Sequence, residues 1–494
     1  MRASVSLAKE NIIVTQAGPS KFRTARPGLG SVWYTFLMSS ETFKLTFVGG
    51  TGSVTGANFL FEGAGLKILI DCGLEQGEKE AEDSNWEPFP YDPKTIDYLF
   101  ITHGHVDHIG RIPKLVYDGF QGKIISTQAT HDIALPMLND TMGILSHDKL
   151  HHADTIYTAE TVNKSLSLWR GIPYYEVVQL APGFSMRCLD AGHILGSAML
   201  EFTYNGEKIV FTGDLGNSPS TLLRDTDHLE NVSYLIMESV YGDRNHEGRE
   251  MRREKLITII NSNHARQGTL VVPTFSLERS QEMLLEINEI LNQKLIAVQP
   301  IFLDSPLAIH LLPAFRAHPE CFNDTVQKLI KSGDDVFNFP GLTITETTES
   351  SKHILAVPDP KIVIAGSGMS NGGRILHHEQ NYLSSDRNTL LLTGYQSVGT
   401  LGRHIIDGEK EIRIYGQTIP IKANVMKILG YSGHKDSDHL VEFVSFTKSS
   451  LKQVFCVMGE PKSAMFLAQR LNHELGVNAG APEGGTSVTI TLGK

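Results

Sequence analysis

"ITHGHVDHIG", residues 101–110, sets His103, His105, Asp107 and His108 within six positions, directly behind the apolar run Tyr98-Leu99-Phe100-Ile101. A buried strand ending at Thr102 leaves these polar residues on a loop at the sheet edge, where side chains can aim at one point. His103 and His105, two apart, face the same way and share one cation; Asp107 and His108, one turn further on, face a second position nearby. Neutral imidazoles and a carboxylate suit zinc at roughly 2.0–2.2 Å per bond. No thiolate accompanies them, which argues against an iron–sulfur or structural Cys-zinc site. The alternative is a polar loop that is merely rich in histidine. One segment cannot complete two coordination shells, so the deciding residues lie elsewhere.

The 494 residues allow two or three domains, and 41% hydrophobic residues is ordinary for a globular chain. A formal net charge of −11 advertises no general polyanion-binding surface, so a nucleic-acid contact has to be a local groove. Four well-separated cysteines, Cys72, Cys188, Cys321 and Cys456, read as reduced thiols without a disulfide framework and point to a cytoplasmic protein. No run approaches the roughly 18 apolar residues that span a bilayer. Residues 1–37 carry five Lys or Arg against one Glu and hold no lasting periodicity. Residues 1–40 are therefore expected to be a disordered or spurious extension, with Met38 as the working initiator.

From about residue 43 short β-rich runs alternate with Gly-containing turns, and "NG" at Asn205-Gly206 signals a tight hairpin. "HDIALPMLNDTMGIL" and "EGREMRREKLITIINSNH" read as helices. From "GTLVVPTFSLERSQEMLLEINEILNQ" the rhythm becomes strand, loop and long helix. "IFLDSP", "KIVIAGSGM" and "NTLLLTGYQ" are continuous apolar strands of the kind a parallel sheet buries on both faces. After "NVMKILGYSGHKD" the strand-rich style returns. One α/β domain is interrupted by another of different texture.

The remaining ligands are sought where strands meet loops. His193 in "DAGHILGSAML", Asp214 in "KIVFTGDLG" and His434 in "GYSGHKDSDHL" have that setting. Asp214, bridging two cations about 3.5–4 Å apart, would complete a two-metal hydrolase site. One zinc takes His103, His105, His193 and Asp214; the other takes Asp107, His108, His434 and Asp214. Taken singly, His193 or His434 reads as a hydrogen-bonded histidine at a strand end. Among the 20 histidines, His151, His152, His228, His246, His264, His377 and His378 lack this setting and are set aside.

"DCG" at Asp71, "HGHVDHIG", "AGHILGSAM" and "FTGDLG" resemble, in order, the first four motifs of the metallo-β-lactamase superfamily. "MESVYG" with Glu238, "GYQSVGTLGRH" with His404 and "YSGHKD" with His434 are similar to motifs A, B and C of the β-CASP RNA-processing nucleases. "PTFSLERSQE", "FLDSPLA" and "GSGMSNGGR" resemble further β-CASP segments. The resemblance covers residues 43–494 and is nearest to the endonuclease subunit of the cleavage and polyadenylation machinery and its compact prokaryotic relatives. The 219 residues between Asp214 and His434 leave room for a whole cap domain between two ligands of one site.

The resemblance implies an α/β fold, a metallo-β-lactamase αββα sandwich with an inserted β-CASP domain built as a parallel sheet flanked by helices. Its pieces are expected at 41–236 and 397–494 for the sandwich and 237–396 for the cap. It implies two zinc ions per chain and hydrolysis of single-stranded RNA, with His404 as general acid and Glu238 orienting it. Asp71 then fixes a ligand histidine, and Asp107 serves both as ligand and in catalysis. The bland alternatives are an ordinary Glu238–His404 ion pair and a loop-capping Asp71. Histidine at motif C points to RNA rather than DNA. No ribonuclease J type C-terminal domain and no N-terminal RNA-binding module is expected, which favours endonucleolytic cleavage; a 5′-exoribonuclease and a zinc thioesterase or lactonase are the alternatives. A homodimer is an assembly the resemblance allows. The loop "GSGMSNGGR" is either a plain turn or a phosphate cradle using Ser367, Gly368 and Arg374.

Overall fold

A phenylalanine-rich core separates two seven-stranded sheets in the computed structural model, which describes residues 40–77, 79–146, 151–246, 250–394, 396–397 and 399–493. The extension expected over residues 1–40 lies, but for its last residue, outside the described residues. The first sheet runs Ser487–Leu492, Glu41–Gly49, Asn58–Gly63, Leu66–Ile70, Tyr98–Phe100, Lys123–Thr127 and Trp169–Ile172. The second runs Ala479–Gly480, Gln453–Val457, Tyr234–Glu238, Glu207–Phe211, Ala198–Tyr204, Phe184–Asp190 and Val178–Ala181. Phe43, Phe61 and Phe184 meet Phe202, Phe211 and Phe455 between them, with Phe43 stacked on Phe61 at 5.0 Å. Helices cover both outer faces. Ile109, Ile112 and Leu138 pack on the first sheet, and Leu440, Val444 and Leu467 on the second, which makes the αββα sandwich. The Asn205-Gly206 hairpin forms with both residues at positive φ, 46° and 86°, as a two-residue turn of that handedness requires.

The cap is a six-stranded sheet ordered Leu342–Ile344, Ile301–Leu303, Lys361–Ala365, Thr269–Pro273, Thr389–Thr393 and Asn424–Ile428. Every pairing in it is parallel. Its strands Thr269–Pro273, Lys361–Ala365 and Thr389–Thr393 are buried throughout, as continuous apolar runs covered on both faces must be. The expected boundaries move. Tyr234–Glu238 pairs with Gln453–Val457, so the first sandwich segment reaches Glu238 rather than stopping at 236. The cap does not end at 396. Asn424–Ile428 pairs with Thr389–Thr393, and Ile405, Ile412, Ile414 and Ile419 bury themselves against Leu390 and Leu392, so the return crossing falls near Leu429. Among the described residues no helix is long and apolar enough to cross a membrane, and the four cysteines are buried and unpaired.

Candidate metal centre

Each ligand leaves a strand on a short loop. Tyr98–Phe100 delivers His103 and His105, Phe184–Asp190 delivers His193, and Glu207–Phe211 delivers Asp214. Two of these loops touch at Gly216, where a Cβ would stand 1.8 Å from the Gly192 carbonyl oxygen, so no side chain fits there. Four ligand atoms then converge. His105 Nδ1 lies 3.1 Å from His103 Nε2 and 3.3 Å from His193 Nε2. Asp214 Oδ2 lies 3.5 Å from each of those Nε2 atoms. Donors about 2.0–2.2 Å from a tetrahedral ion stand roughly 3.3–3.6 Å apart, so the four atoms are spaced to hold one.

Asp214 Oδ1 opens a second position. It lies 3.5 Å from His108 Nε2, which is 3.8 Å from Asp107 Oδ2. Among the described residues neither Asp214 Oδ1 nor His108 Nε2, both buried, has a hydrogen-bond partner, the condition that a cation between them would relieve. Asp71 fixes the other side of His108. Its carboxylate accepts from His108 Nδ1 at 2.7 Å, from the Thr102 N–H at 2.8 Å and from the Thr102 hydroxyl at 2.7 Å, which leaves Nε2 as the free nitrogen. The Gly433 carbonyl does the same for His193, accepting from its Nδ1 at 3.1 Å.

His434 departs from the expected set. Its Nδ1 lies 3.2 Å from Glu238 Oε2 and 4.0 Å from Asp214 Oδ2, so it groups with Glu238 and Asp214 rather than with Asp107 and His108. Glu238 is wholly buried at the end of its strand, and a buried carboxylate needs a positive partner. The Leu215 N–H also donates to it.

Burial, with smaller effects from neighbouring histidines, holds His103 and His193 well below the ordinary imidazole range and His105 at about 3. These three are neutral ligands at physiological pH. The charge of Arg279 also presses on His105 and His193. Burial lifts the Asp107 carboxyl to about 6. At His434 burial is overcome by the charges of Glu238 and Asp214, which lift it to about 9. Among the described residues, histidines are the only ion-pair partners of Asp71, Asp107, Asp214 and Glu238, and no Lys or Arg pairs with them.

The cap residues are placed differently. His404 sits in helix Leu401–Ile406, about half exposed, with Nδ1 2.7 Å from Glu409 Oε1. Its expected partner Glu238 is turned to His434 instead, because the buried acid takes the nearest histidine. Arg374 is no phosphate ligand. Its guanidinium is occupied by Asp304 Oδ1 at 2.7 Å and by the carbonyls of Thr345 and Glu346 at 2.6 and 2.8 Å. The Ser367 N–H donates within its own loop to the Gly372 carbonyl, and Gly368 is buried against Phe275, so "GSGMSNGGR" closes on itself as a turn. Sequence reasoning passed over Thr102, which steadies Asp71, and His246, whose Nε2 lies 2.9 Å from the His434 carbonyl oxygen. "PTFSLERSQE" also carries Glu278 and Arg279, two charges at the start of a helix behind a fully buried strand, a signal legible in the sequence.

The chain matches three families in sequence order, "Metallo-beta-lactamase superfamily" over residues 53–133, "Beta-Casp domain" over 280–405 and "Zn-dependent metallo-hydrolase RNA specificity domain" over 418–482. It is 34% identical over 423 residues to Ribonuclease TTHA0252 of Thermus thermophilus, covering 86% of this chain and 94% of that one. It is 31% identical to Transcription termination factor FttA of Methanosarcina mazei, covering 89% and 70%, and 28% identical to an RNase J-like protein of Methanocaldococcus jannaschii, covering 90% and 99%. A crystal structure of a protein of unknown function from Enterococcus faecalis V583 shares the fold with a TM-score of 0.55 at 13% identity, over 91% of this chain and all of that one. With a third of its residues shared along almost the full length of a ribonuclease, and a buried histidine–carboxylate cluster under a parallel-sheet cap, the chain belongs to the β-CASP ribonucleases of the metallo-β-lactamase superfamily, metal-dependent hydrolases that act on RNA.

Proposed function

We propose that the protein is a zinc-dependent endoribonuclease that cuts single-stranded RNA with two ions per chain. The observation that carries the reading is the tetrahedral spacing of His103, His105, His193 and Asp214 beside a second position that shares the same carboxylate. His103 Nε2, His105 Nδ1, His193 Nε2 and Asp214 Oδ2 would hold one ion. Asp214 Oδ1, His108 and Asp107 would hold the other, while His434 stands with Glu238 and Asp214 Oδ2. Nitrogen and carboxylate donors without thiolate favour zinc. Bound there, the ions would supply a water nucleophile of lowered pKa and neutralise charge developing on the phosphodiester.

The chain's own residues do the rest. Burial keeps the imidazoles of His103, His105 and His193 unprotonated and available, and Asp71 holds His108 in one tautomer. His404, with Nδ1 on Glu409, keeps Nε2 to protonate the leaving oxygen, giving 5′-phosphate and 3′-hydroxyl ends. RNA as substrate is supported by the histidine at motif C, by the matched RNA specificity domain and by the names of the relatives. A circular single-stranded RNA tests the mode, because it has no end to enter. Linearisation by the metal-loaded protein is the expected result. Degradation restricted to linear 5′-phosphorylated strands would make the protein an exonuclease, and turnover of thioesters or lactones with RNA left intact would remove the nuclease reading altogether.

A further inference from the structure

The cap strand Thr269–Pro273 runs into a turn whose helix, Arg279–Asn292, begins against the metal domain. Glu278 stands there at φ 69°, ψ −55°, a backbone conformation costly for any side chain and maintained only when its surroundings demand it. Its carboxylate, 1% exposed, accepts the Leu195 N–H at 3.0 Å, two residues past His193. This contact pins the next residue beside the metal ligands.

Arg279 is fixed along one edge and open along the other. Its Nη1 donates to the Tyr431 carbonyl at 3.1 Å and pairs with Glu282, while no hydrogen bond among the described residues engages Nη2. Gly433 shows where Nη2 points. A Cβ on that glycine would lie 3.2 Å from Arg279 Nη2, 3.2 Å from His193 Cε1 and 3.4 Å from His193 Nδ1. The guanidinium nitrogen therefore stands within the sum of two van der Waals contacts of a metal-ligand ring. Its side chain is 11% exposed, so the guanidinium is not wholly sealed from solvent.

We propose that Arg279 is a substrate-binding residue whose Nη2 edge holds a non-bridging oxygen of the RNA phosphodiester beside the metal centre. The assignment rests on the nuclease reading above. A guanidinium is always charged and planar, and its donors match a phosphate. Here Glu282 and Tyr431 already hold it in place, so little ordering remains to be done when the strand arrives. The chain as a whole is acidic, at −11, so attraction for a phosphate has to come from a cation placed at the site itself. A purely structural Arg279–Glu282 pair between neighbouring helix positions would not need a glycine to bring it against His193.

The test is the salt dependence of binding a labelled single-stranded RNA analogue that resists cleavage, measured by anisotropy on the metal-loaded full chain. Arg279→Gln lowers the slope of log affinity against log salt by about 0.7, the share of one single-strand phosphate, while Arg279→Lys retains it. In cleavage Arg279→Gln reduces kcat/KM roughly tenfold to a hundredfold, the scale of one charge-assisted hydrogen bond. An unchanged slope in Arg279→Gln with metal content intact overturns the proposal. Should that variant fail to fold or lose its metals, Glu282→Gln decides: it removes both the counter-charge of Arg279 and one of its two anchors, so a changed affinity with metal content intact supports the proposal and an unaltered affinity overturns it. Failure of the nuclease reading looks different, because the unmodified protein would then neither bind nor cut RNA.

Discussion

Asp214 in the metal domain and Asp304 in the cap are both buried carboxylates at the ends of strands, yet only one of them marks a site. Asp304 has its lone pairs filled by Arg374, His378, Thr345 and Ser351 at 2.6–2.7 Å. Asp214 has histidine nitrogens on every side at 3.5–4.0 Å and an oxygen with no partner. A satisfied network locks a fold, whereas several unsatisfied atoms aimed at one point need something from outside. Burial and charge are common to both, so convergence of open valence is what separates chemistry from architecture.

The contrast can be broken by substitution, starting from the largest effect on cleavage. If two ions share its carboxylate as proposed, Asp214→Asn should cost both; mass spectrometry should find no bound ion and RNA cleavage at background, and retention of either ion would show that Asp214 does not bridge. His404→Ala should keep the full metal content and slow cleavage by about 10²–10⁴-fold, the scale of a lost general acid. Metal loss in that variant would make His404 a ligand, and undiminished cleavage would remove it from the mechanism. Asp304→Asn leaves the partly buried Arg374 without its charge partner and should lower stability by about 2–3 kcal/mol in denaturant unfolding, with metal content and the turnover per folded molecule unchanged. A drop in metal content there would erase the distinction between the two carboxylates.

The sequence showed the metal floor more fully than the cap because the floor is assembled from local signals. H-x-H-x-D-H after Tyr98–Phe100, and Asp214 ahead of Gly216, each combine a strand end, a ligand and a glycine within a few residues. The cap's decisive contacts are long-range. Nothing near Arg374 in sequence announces Asp304, seventy positions away, and nothing near Glu238 announces that His434 takes it in place of His404. The boundary shifted for the same reason: "NVMKI" reads like any short strand, and only its parallel pairing with Thr389–Thr393 assigns it to the cap.

Glu379 sharpens the comparison, since it is a buried cap acid with one oxygen unpartnered. It accepts the Ser370 hydroxyl and among the described residues has no ligand atoms converging on it, so its isolation must be relieved by a proton rather than an ion. Burial accordingly raises its carboxyl from the ordinary 4.5 to about 8. Between those values the folded chain holds a proton that the unfolded chain releases. The stabilisation is thus complete below pH 4.5 and declines as pH rises through about 8, with a slope of up to about 1.4 kcal/mol per pH unit. Glu379→Gln carries a permanently neutral group of the same shape and should remove this share of the pH dependence, leaving the variant more stable than the parent at pH above about 8 in urea unfolding, with cleavage and metal content unchanged. If the two proteins lose stability in parallel as pH rises, Glu379 is ionised in the fold and has a partner after all, and it belongs with Asp304 among the satisfied carboxylates.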